Sequence, residues 1–383
     1  MVERPLRVLI LSDLYPTVAS PQGGSFVMER INALGAAGIE VHAIALRPRP
    51  TRLLAATLRV MGRSMSEGVD GVLRDSPFRL GVLDYIRTTR RSPSARLVRR
   101  IADVVETDQA GFPPPDVVHA HGMYRAKAGI VAAEVSRRLR IPYVMTLHGS
   151  DVNTHMRRDP QPFIDALRGS SRAIFVSEAL RDAAIELGAP ETNTVVIPNG
   201  VDVDLFVPGV KSTDEPVISF VGGLAEVKGA DRLPAIFRGV ARQLPSAKFE
   251  VVGRGHLGKR LESEMAGLPV TFHGHVHRSE VAEVLARTSV LVVPSRSEGW
   301  GCVVLEAHAA GAVAVATRVG GLVESVGDDR FLAPASTGIE GLVERIVHGV
   351  TEPREYLPRR AQKYRWTELA ASEVAVYRSA VEA

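Results

Sequence analysis

Two carboxylates flank a glycine-containing turn in the stretch Ser297–Glu306, and these residue types at this spacing could support chemistry. The apolar run Val290–Val293 before the turn predicts a buried parallel strand, and the run from Cys302 to Ala310 after it predicts a helix. Such a turn directs the free N–H groups of the first helical turn at a ligand. Phosphates and sugar hydroxyls are suitable ligands, because their oxygens accept hydrogen bonds from these groups. Alternatively, Glu298 only marks a helix start and Glu306 is a solvated helix residue.

A histidine and a lysine near the ends of other predicted strands are further candidates. His148 follows the apolar strand Tyr143–Leu147, and the carboxyl ends of parallel strands form the ligand crevice of an open α/β sheet. Lys228 follows Gly222 and Gly223, so its ammonium could neutralise an anion arriving at the adjacent helix. The alternatives are a hydrogen-bonded core histidine and a solvated lysine.

Patterns that suggest other kinds of site are weaker. Gly253–Gly258 matches the G-x-G-x-x-G pattern of dinucleotide-binding proteins, but no acidic residue stands near the end of the next strand, about twenty residues on. Histidines alternate from His273 to His277, yet no carboxylate or cysteine completes a metal-ligand set. His119 and His121 form an equally weak pair. The sequence therefore predicts neither a nicotinamide site nor a metal site.

The composition is that of a globular protein, with 45% hydrophobic and 23% charged residues. A length of 383 residues exceeds what one core usually supports, so two domains are expected. The net charge is only +4 and no nucleic-acid motif accompanies it, which argues against a nucleic-acid partner. The single cysteine, Cys302, favours a reducing compartment, and neither a secretory h-region nor a membrane-spanning run is recognisable. We therefore expect a cytoplasmic protein.

Strands and helices are predicted to alternate along the chain. Arg7–Leu11 predicts the first buried strand, a helix follows from about Phe26 to Ala37, and Glu40–Leu46 predicts the next strand. The polar stretch Pro208–Pro216 predicts a linker, after which Val217–Val221 begins a second alternating series. The fold class expected from this pattern is α/β, with two doubly wound domains.

Domain boundaries follow from the same pattern. The first domain is expected over residues 1–205 and the second over residues 206–366. A C-terminal helix, 367–383, is expected to pack back on the first domain.

An arginine-rich amphipathic segment lies in the first domain. Leu97 and Ile101 share one face of the predicted helix Ser94–Val105, while arginines occupy much of the rest. Arg87, Arg90 and Arg91 precede this helix. A basic amphipathic helix can dock on anionic lipid, although a solvated face on an ordinary domain helix is the commoner explanation. Peripheral contact with a membrane is therefore a minor hypothesis.

In combination, the motifs resemble those of glycosyltransferase family 4. They are, in chain order, Pro21–Gly24, Leu147–Asp151, Ile197–Asp202, Lys228-Gly229, and Glu298-Gly299-Trp300-Gly301 with Glu306. The resemblance extends over essentially the whole chain, and its most specific element is the E-x7-E pattern of Glu298 and Glu306.

The resemblance implies a GT-B fold, in which two Rossmann-like domains face a central cleft. It further implies a retaining enzyme that moves a hexose or N-acetylhexosamine from a UDP- or GDP-sugar to an acceptor hydroxyl. The donor would bind the second domain and the acceptor the first. No metal would be required, and no cofactor would be bound besides the nucleotide-sugar, which is a co-substrate. The acceptor, a polysaccharide or lipid intermediate or a small natural product, and the oligomeric state stay open.

Roles for individual residues are implied by the same resemblance. Lys228 would bind the diphosphate, Glu298 would contact the donor sugar and take part in catalysis, and Glu306 would hold the ribose hydroxyls. His148 would position and polarise the reacting groups at the reacting centre. The other donor-side candidates are Gly24, Val276, Gly299, Trp300 and Gly301, and the acceptor-side candidates are His121 and Asn199.

Two positions depart from the family pattern. Gly223 stands where members commonly carry an arginine that helps the lysine to bind the diphosphate, and Arg254 stands within the usual Gly-Asp-Gly. Either another arginine, such as Arg254 or one from the first domain, supplies the charge, or the donor is held less tightly. Two rival functions are a UDP-sugar 2-epimerase of the same fold and a lipid-surface binding protein.

Overall fold

The computed structural model describes residues 4–16, 23–61, 74–90, 92–124 and 127–383. The chain divides into two compact units, Met1–Pro198 with Thr367–Ala383, and Asn199–Trp366. Each unit is an α/β structure built on its own parallel sheet.

The first unit has seven parallel strands among its described residues. They are β1 Arg7–Ser12, β2 Glu40–Pro50, β3 Arg74–Leu80, β4 Val117–His121, β5 Tyr143–Leu147, β6 Arg172–Phe175 and β7 Thr194–Val196. Their spatial order is β3-β2-β1-β4-β5-β6-β7. All residues of β4 and β5 are buried, as expected for strands covered on both faces.

Helices cover this sheet. They are α1 Ser25–Ala36, α2 Arg52–Val60, α3 Val82–Arg90, α4 Ala95–Gln109, α5 Ala128–Leu139, α6 Gln161–Gly169 and α7 Glu178–Glu186. Helix α4 begins where the Ser94 hydroxyl accepts a hydrogen bond from the Leu97 N–H, and Leu97, Ile101 and Val105 are buried. The apolar face of the arginine-rich helix is therefore part of the domain core.

The second unit repeats this plan with six parallel strands in the order β10-β9-β8-β11-β12-β13. The strands are β8 Val217–Val221, β9 Lys248–Val252, β10 Val270–Gly274, β11 Val290–Val293, β12 Val313–Thr317 and β13 Leu332–Ala333. The helices are α8 Leu233–Gln243, α9 Gly258–Glu264, α10 Arg278–Arg287, α11 Cys302–Ala309, α12 Leu322–Val326, α13 Gly338–Thr351 and α14 Tyr356–Gln362.

Each sheet has a topological switch point, where the strand order reverses. It lies between β1 and β4 in the first unit and between β8 and β11 in the second. In open α/β sheets, ligands bind outside the carboxyl ends of the strands at this point. The fold therefore assigns a candidate crevice to each unit.

The boundary between the units falls before the expected position at residue 205. Val201 pairs with Arg365, and the Val201 N–H donates to the Tyr364 carbonyl. These contacts connect the segment after Pro198 to the second unit.

The C-terminal helix, α15 Trp366–Glu382, packs on the first unit from Thr367 onward. Glu373 of this helix forms an ion pair with Arg30 of α1 at 3.2 Å, and both side chains are about 2% exposed. Arg172 at the start of β6 donates to the Ser379 hydroxyl at 2.9 Å. Within the described residues, no helix is long and apolar enough to cross a membrane.

Candidate functional site

The second unit brings Lys228 and Glu298 into direct contact at its switch point. The loop after β8 carries Lys228, and the loop after β11 carries Glu298. Lys228 Nζ lies 2.6 Å from Glu298 Oε2, with the two side chains 38% and 15% exposed. A partly exposed cation beside a partly buried carboxylate can bind an anion and a hydroxyl group side by side.

Glycines allow the loops around this pair to pack closely. Gly229 has φ +69°, and a Cβ there would lie 1.9 Å from the Pro294 carbonyl oxygen. Gly301 has φ +88° and forms the N-terminal cap of α11. Gly321 donates its N–H to the Glu298 carbonyl at 3.2 Å, and a Cβ on Gly320 would lie 2.2 Å from that oxygen. The turn that carries Glu298 is therefore fixed by backbone contacts that only glycine permits.

Glu306 lies on α11, the helix that follows the turn, and is held by a partner that the sequence did not reveal. Arg278 of α10 donates to Glu306 Oε1 at 3.4 Å, and its guanidinium also lies over the Phe206 ring at 5.2 Å. Burial raises the pKa of Glu306, and the charge of Arg278 opposes this increase. No sequence spacing connects residues 278 and 306, so only the fold identifies this pair.

Trp300, Cys302 and Asn199 pack around the carboxylate turn. Trp300 is 3% exposed, and its ring lies 5.6 Å from the Tyr364 ring, so its side chain is covered within the second unit. Burial first, and then the charges of Glu306 and Glu298, raise the pKa of Cys302 to about 12, so its thiol is not activated as a nucleophile. Asn199 hydrogen-bonds Cys302 and belongs to the second unit, apart from the first-unit residues with which the sequence grouped it.

Gly223, the position at which the sequence predicts a missing arginine, faces open space. A Cβ built on Gly223 would meet no atom within 4 Å, and the backbone there is not left-handed. Arg254 is exposed, and its guanidinium lies next to Gly274 at the end of β10. A further cation that the sequence analysis missed, Arg232, donates to the Pro294 carbonyl at 3.2 Å.

The glycine-rich loop after β9 has a packing role. A Cβ on Gly253 would lie 1.9 Å from the Gly222 carbonyl oxygen, and one on Gly255 would lie 2.2 Å from the Leu224 carbonyl oxygen. These glycines therefore allow two strand-end loops to contact each other, which accounts for the pattern without a dinucleotide.

The alternating histidines after β9 have separate partners. His273 Nε2 lies 3.2 Å from Glu250 Oε2, and the His277 side chain caps α10 together with Glu280. Val276 and His275 lie half-buried between them. The resemblance to family 4 implies that the nucleobase lies against the turn around these two residues, and this role stays a prediction.

In the first unit, His121 and His148 meet at the ends of β4 and β5. His121 Nδ1 and His148 Nε2 are 3.2 Å apart, and the Phe26 ring lies 4.8 Å from the His148 ring. Asp151 accepts hydrogen bonds from the backbone N–H groups of His148 and Gly149, at 2.8 and 2.7 Å, which fixes the strand end. Burial lowers the pKa of both His121 and His148 well below the usual value, so both rings are neutral at neutral pH.

Gly24 caps α1 in the same unit. It has φ +73°, and a Cβ there would lie 2.8 Å from the backbone of Leu14 and Tyr15. Pro21 and Gln22 of the same motif, and Arg91 of the arginine-rich segment, lie outside the described residues.

Among the residues that the structure describes, His119, His121 and Glu373 have the types and proximity of a metal-ligand group. However, His119 already uses both ring nitrogens, with Tyr377 Oη at 2.6 Å and Thr146 Oγ1 at 2.7 Å. Glu373 is likewise paired with Arg30. The group therefore fits a hydrogen-bonded core better than a metal centre.

Two family models match the chain. The Glycosyltransferase Family 4 model matches residues 23–205, and the Glycosyl transferases group 1 model matches residues 215–351. A teichuronic acid biosynthesis glycosyltransferase of Bacillus subtilis, TuaC, is 29% identical over 89% of this chain and 88% of its own. A D-inositol 3-phosphate glycosyltransferase of Kribbella flavida is 27% identical over 100% of this chain and 97% of its own.

Solved structures share the fold at low sequence identity. Sucrose-phosphate synthase of Thermosynechococcus elongatus has a TM-score of 0.72 at 20% identity, covering 97% of this chain and 98% of its own. Anabaena HepE, in complex with UDP and glucose, has a TM-score of 0.68 at 19% identity, covering 98% of this chain and 100% of its own. The predicted pair of Rossmann-like domains is confirmed.

Proposed function

The chain belongs to the glycosyltransferases of family 4, and on that premise we propose that it is a retaining hexosyl- or N-acetylhexosaminyltransferase. Its donor is a UDP- or GDP-sugar, and its acceptor is a hydroxyl group. The observation that carries this proposal is the Lys228–Glu298 contact of 2.6 Å at the switch point of the second unit.

Lys228 acts on the leaving group. Cleavage of the glycosidic bond to a nucleoside diphosphate places negative charge on the β-phosphate, and a cation near that oxygen stabilises the charge where it develops. Glu298 accepts hydrogen bonds from hydroxyls of the donor sugar, and Glu306, further along α11, accepts those of the ribose. The backbone of Gly299, Trp300 and Gly301 lines the same turn.

His148 positions and polarises the reacting groups. Its pKa is lowered chiefly by burial, so it is a neutral hydrogen-bonding group at neutral pH. Among the described residues no dedicated general base is evident beside it. The leaving phosphate itself therefore takes the acceptor proton.

The relatives support the choice of donor and the range of acceptors. The HepE structure holds UDP and glucose, which supports a UDP-sugar donor. The relatives from Bacillus subtilis and Kribbella flavida are named for teichuronic acid and for inositol 3-phosphate, which supports a polysaccharide intermediate or a small polyol as acceptor.

An array of UDP- and GDP-sugars against polyol, polysaccharide and lipid-linked acceptors tests this function, with products detected by mass spectrometry. One donor–acceptor pair should give a product heavier by one hexosyl or N-acetylhexosaminyl group, and NMR of its anomeric proton should show the configuration of the donor. An inverted anomer would contradict the mechanism. A new epimer of the donor in the absence of acceptor would favour the 2-epimerase instead.

A second property, docking on anionic lipid, is supported by exposed apolar side chains in the first unit. Leu53 and Val60 of α2 are 70% and 89% exposed, and Leu83 of the neighbouring α3 is 83% exposed. Arg52 and Arg59 are exposed on α2, so apolar and basic side chains occur on the same helix. We propose that this α2–α3 surface, rather than α4, contacts the membrane.

Co-sedimentation with vesicles containing phosphatidylglycerol distinguishes the two surfaces. Replacing Leu53 and Leu83 with Ser should abolish binding, whereas replacing Arg96 and Arg99 of α4 with Ser should reduce it only through net charge. Binding that survives in the Leu53 and Leu83 variant but falls in the Arg96 and Arg99 variant would indicate attraction by charge alone and would refute the proposed surface.

A further inference from the structure

A half-buried arginine on α14, Arg360, contacts three elements around the turn that carries Glu298. Its Nη2 donates to the Glu324 carbonyl at 2.7 Å, and its Nη1 donates to His308 Nδ1 at 3.3 Å. The guanidinium also lies over the Tyr364 ring, 5.3 Å from the ring centroid. One side chain therefore connects α12, α11 and the segment that follows α14.

The charge of Arg360 is costly at this position. Both of its hydrogen-bond acceptors are neutral, because burial first, and then the charge of Arg360, lower the pKa of His308 to about 3. Burial likewise lowers the pKa of Arg360, the direction expected for a cation withdrawn from water. An apolar side chain would fill the same space without this desolvation. The value of the arginine therefore lies in the groups that its two hydrogen bonds hold.

Helix α12 connects Glu324 to Glu298 through a continuous series of hydrogen bonds. The helix has five residues, Leu322–Val326, and Gly321 is its N-terminal cap. The Ser325 N–H donates to the Gly321 carbonyl at 2.9 Å, and the Gly321 N–H donates to the Glu298 carbonyl at 3.2 Å. A helix of roughly one and a half turns moves as one body. The position of its last turn therefore determines the position of its cap.

Both ends of α12 are in close contact with their neighbours. A Cβ on Gly321 would lie 2.1 Å from the Gly299 carbonyl oxygen, so the cap touches the turn directly. At the other end, Gly327 has φ +65°, and a Cβ there would lie 2.3 Å from Arg360 Nη2. The helix is thus enclosed between the turn and the guanidinium, and neither contact leaves room for a larger residue.

Tyr364 gives Arg360 a second connection with the same turn. The Tyr364 ring, which lies under the guanidinium, is 5.6 Å from the Trp300 ring. Trp300 follows Glu298 by two positions and is 3% exposed, so its ring anchors the turn within the second unit. Arg360 therefore supports the turn from both sides, through α12 and through an aromatic pair.

We propose that Arg360 is a positioning residue, which through α12 and Tyr364 holds the turn of Glu298 in the position that receives the donor sugar. The assignment of the sugar to Glu298 rests on the proposed glycosyl transfer. The position of the turn does not, and it can be measured without a nucleotide. Lys228 lies on a different loop, the one after β8, so its contact with a diphosphate does not depend on Arg360.

Amide hydrogen exchange of the full-length protein tests the positioning without a ligand. Arg360→Met removes both hydrogen bonds and keeps the apolar stem of the side chain. Exchange in residues 320–326 should accelerate on the order of tenfold, because α12 loses a charge-assisted hydrogen bond. Arg359→Met, which removes an exposed arginine of the same helix, is the matched control and should leave this exchange unchanged. Unchanged exchange in Arg360→Met, or equal acceleration throughout the second unit, would overturn the proposal.

Arg360→Lys provides the test if Arg360→Met does not fold. Its ammonium can still donate to the Glu324 carbonyl, but it lacks the planar fork that reaches His308 at the same time. Exchange in residues 320–326 should therefore be faster than in the wild-type protein, while exchange in strands β8 and β11 stays the same. In that case, a wild-type rate in residues 320–326 of Arg360→Lys would overturn the proposal.

Calorimetry separates the sugar from the diphosphate. The ligands are the nucleotide-sugar that the donor array identifies and the nucleoside diphosphate it contains. Arg360→Met should bind the nucleotide-sugar on the order of tenfold more weakly, because the hydrogen bonds of the displaced Glu298 to the sugar are lost. Its affinity for the nucleoside diphosphate should stay within about twofold of the wild-type value.

Equal loss of affinity for the two ligands would show that Arg360 only stabilises the second unit, and would overturn its positioning role. An unchanged affinity for the nucleotide-sugar would overturn it as well. A wild-type protein that binds neither ligand would instead contradict the proposed function, and hydrogen exchange would then decide the role of Arg360.

Discussion

At the scale of single residues, Lys228 and Glu298 form an ion pair, so replacing either changes the electrostatics of both. The sequence predicted each residue separately from its position after a strand. It could not predict their contact, because they are 70 positions apart and meet only when β8 and β11 lie side by side. Arg278 and Glu373 were missed for the same reason, since their partners are distant in sequence.

Lys228→Ala should weaken binding of a UDP- or GDP-sugar by about 1.5–3 kcal/mol, the usual contribution of a hydrogen bond to a charged group. Isothermal titration calorimetry measures this directly. Lys248→Ala, which removes an exposed lysine paired with Glu215, is the matched control and should leave affinity unchanged. Equal affinity of the wild-type protein and Lys228→Ala would exclude the lysine from the diphosphate site.

Glu298→Gln should separate binding from turnover. The substitution releases Lys228 from its ion pair, so affinity for the nucleotide should be equal to or tighter than that of the wild-type protein. Hydrogen bonds to the donor sugar that strengthen in the transition state are weakened, so kcat should fall on the order of a hundredfold. Glu226→Gln, whose carboxylate faces His256 on the neighbouring loop, is the control. A Glu298→Gln variant with full turnover would refute the catalytic assignment.

At the scale of elements, the strand–turn–helix units were predictable because buried strands and glycine turns leave strong local patterns. The apolar run at Val290–Val293 is β11, and Gly301 begins α11 as expected. The apolar face of α4 was also visible in the sequence. That the domain itself covers this face, while α2 and α3 expose Leu53 and Leu83, depends on tertiary packing that no local pattern encodes.

Gly223→Arg should restore the cation that family members commonly have at this position. Because a Cβ there meets no atom within 4 Å and the backbone is not left-handed, the side chain can be accommodated without strain. Affinity for UDP should increase on the order of tenfold through one charge-assisted contact. Gly35→Arg adds the same charge at an open position of α1 and controls for net charge. Equal affinities of both variants would show that position 223 does not face the diphosphate.

At the scale of the whole molecule, the two doubly wound units were predictable because each repeats an alternation of strand and helix that the sequence displays twice. The exact division was not, since the β-bridge between Val201 and Arg365 joins residues far apart in sequence. The role of α15 was only partly predictable. Its return to the first unit was expected, but the buried ion pair that fixes it there was not.

Stability should depend on pH because several buried histidines are neutral in the folded protein. Burial lowers the pKa of His308 to about 3 and also lowers those of His119, His121 and His148. In the unfolded chain these histidines have a pKa of about 6.5. Below that value the unfolded chain binds more protons than the folded one, so the free energy of unfolding falls as the pH decreases.

Thermal denaturation from pH 8 to pH 5 measures this effect. The Tm should be nearly constant above pH 7 and should fall steadily below about 6.5. His256→Gln, which removes an exposed histidine, should not change the slope, whereas His308→Asn should make it shallower. A Tm that is constant or rises between pH 7 and pH 5 would show that the buried histidines are protonated in the folded state.

If the carboxylate turn of the second unit holds the donor, a crystal structure of the protein with an intact UDP-sugar will show it there. We expect the diphosphate within hydrogen-bond distance of Lys228 Nζ, sugar hydroxyls against Glu298, and ribose hydroxyls against Glu306. A nucleotide bound on the Gly253–Gly258 loop, or a diphosphate that does not contact Lys228, would refute this binding mode.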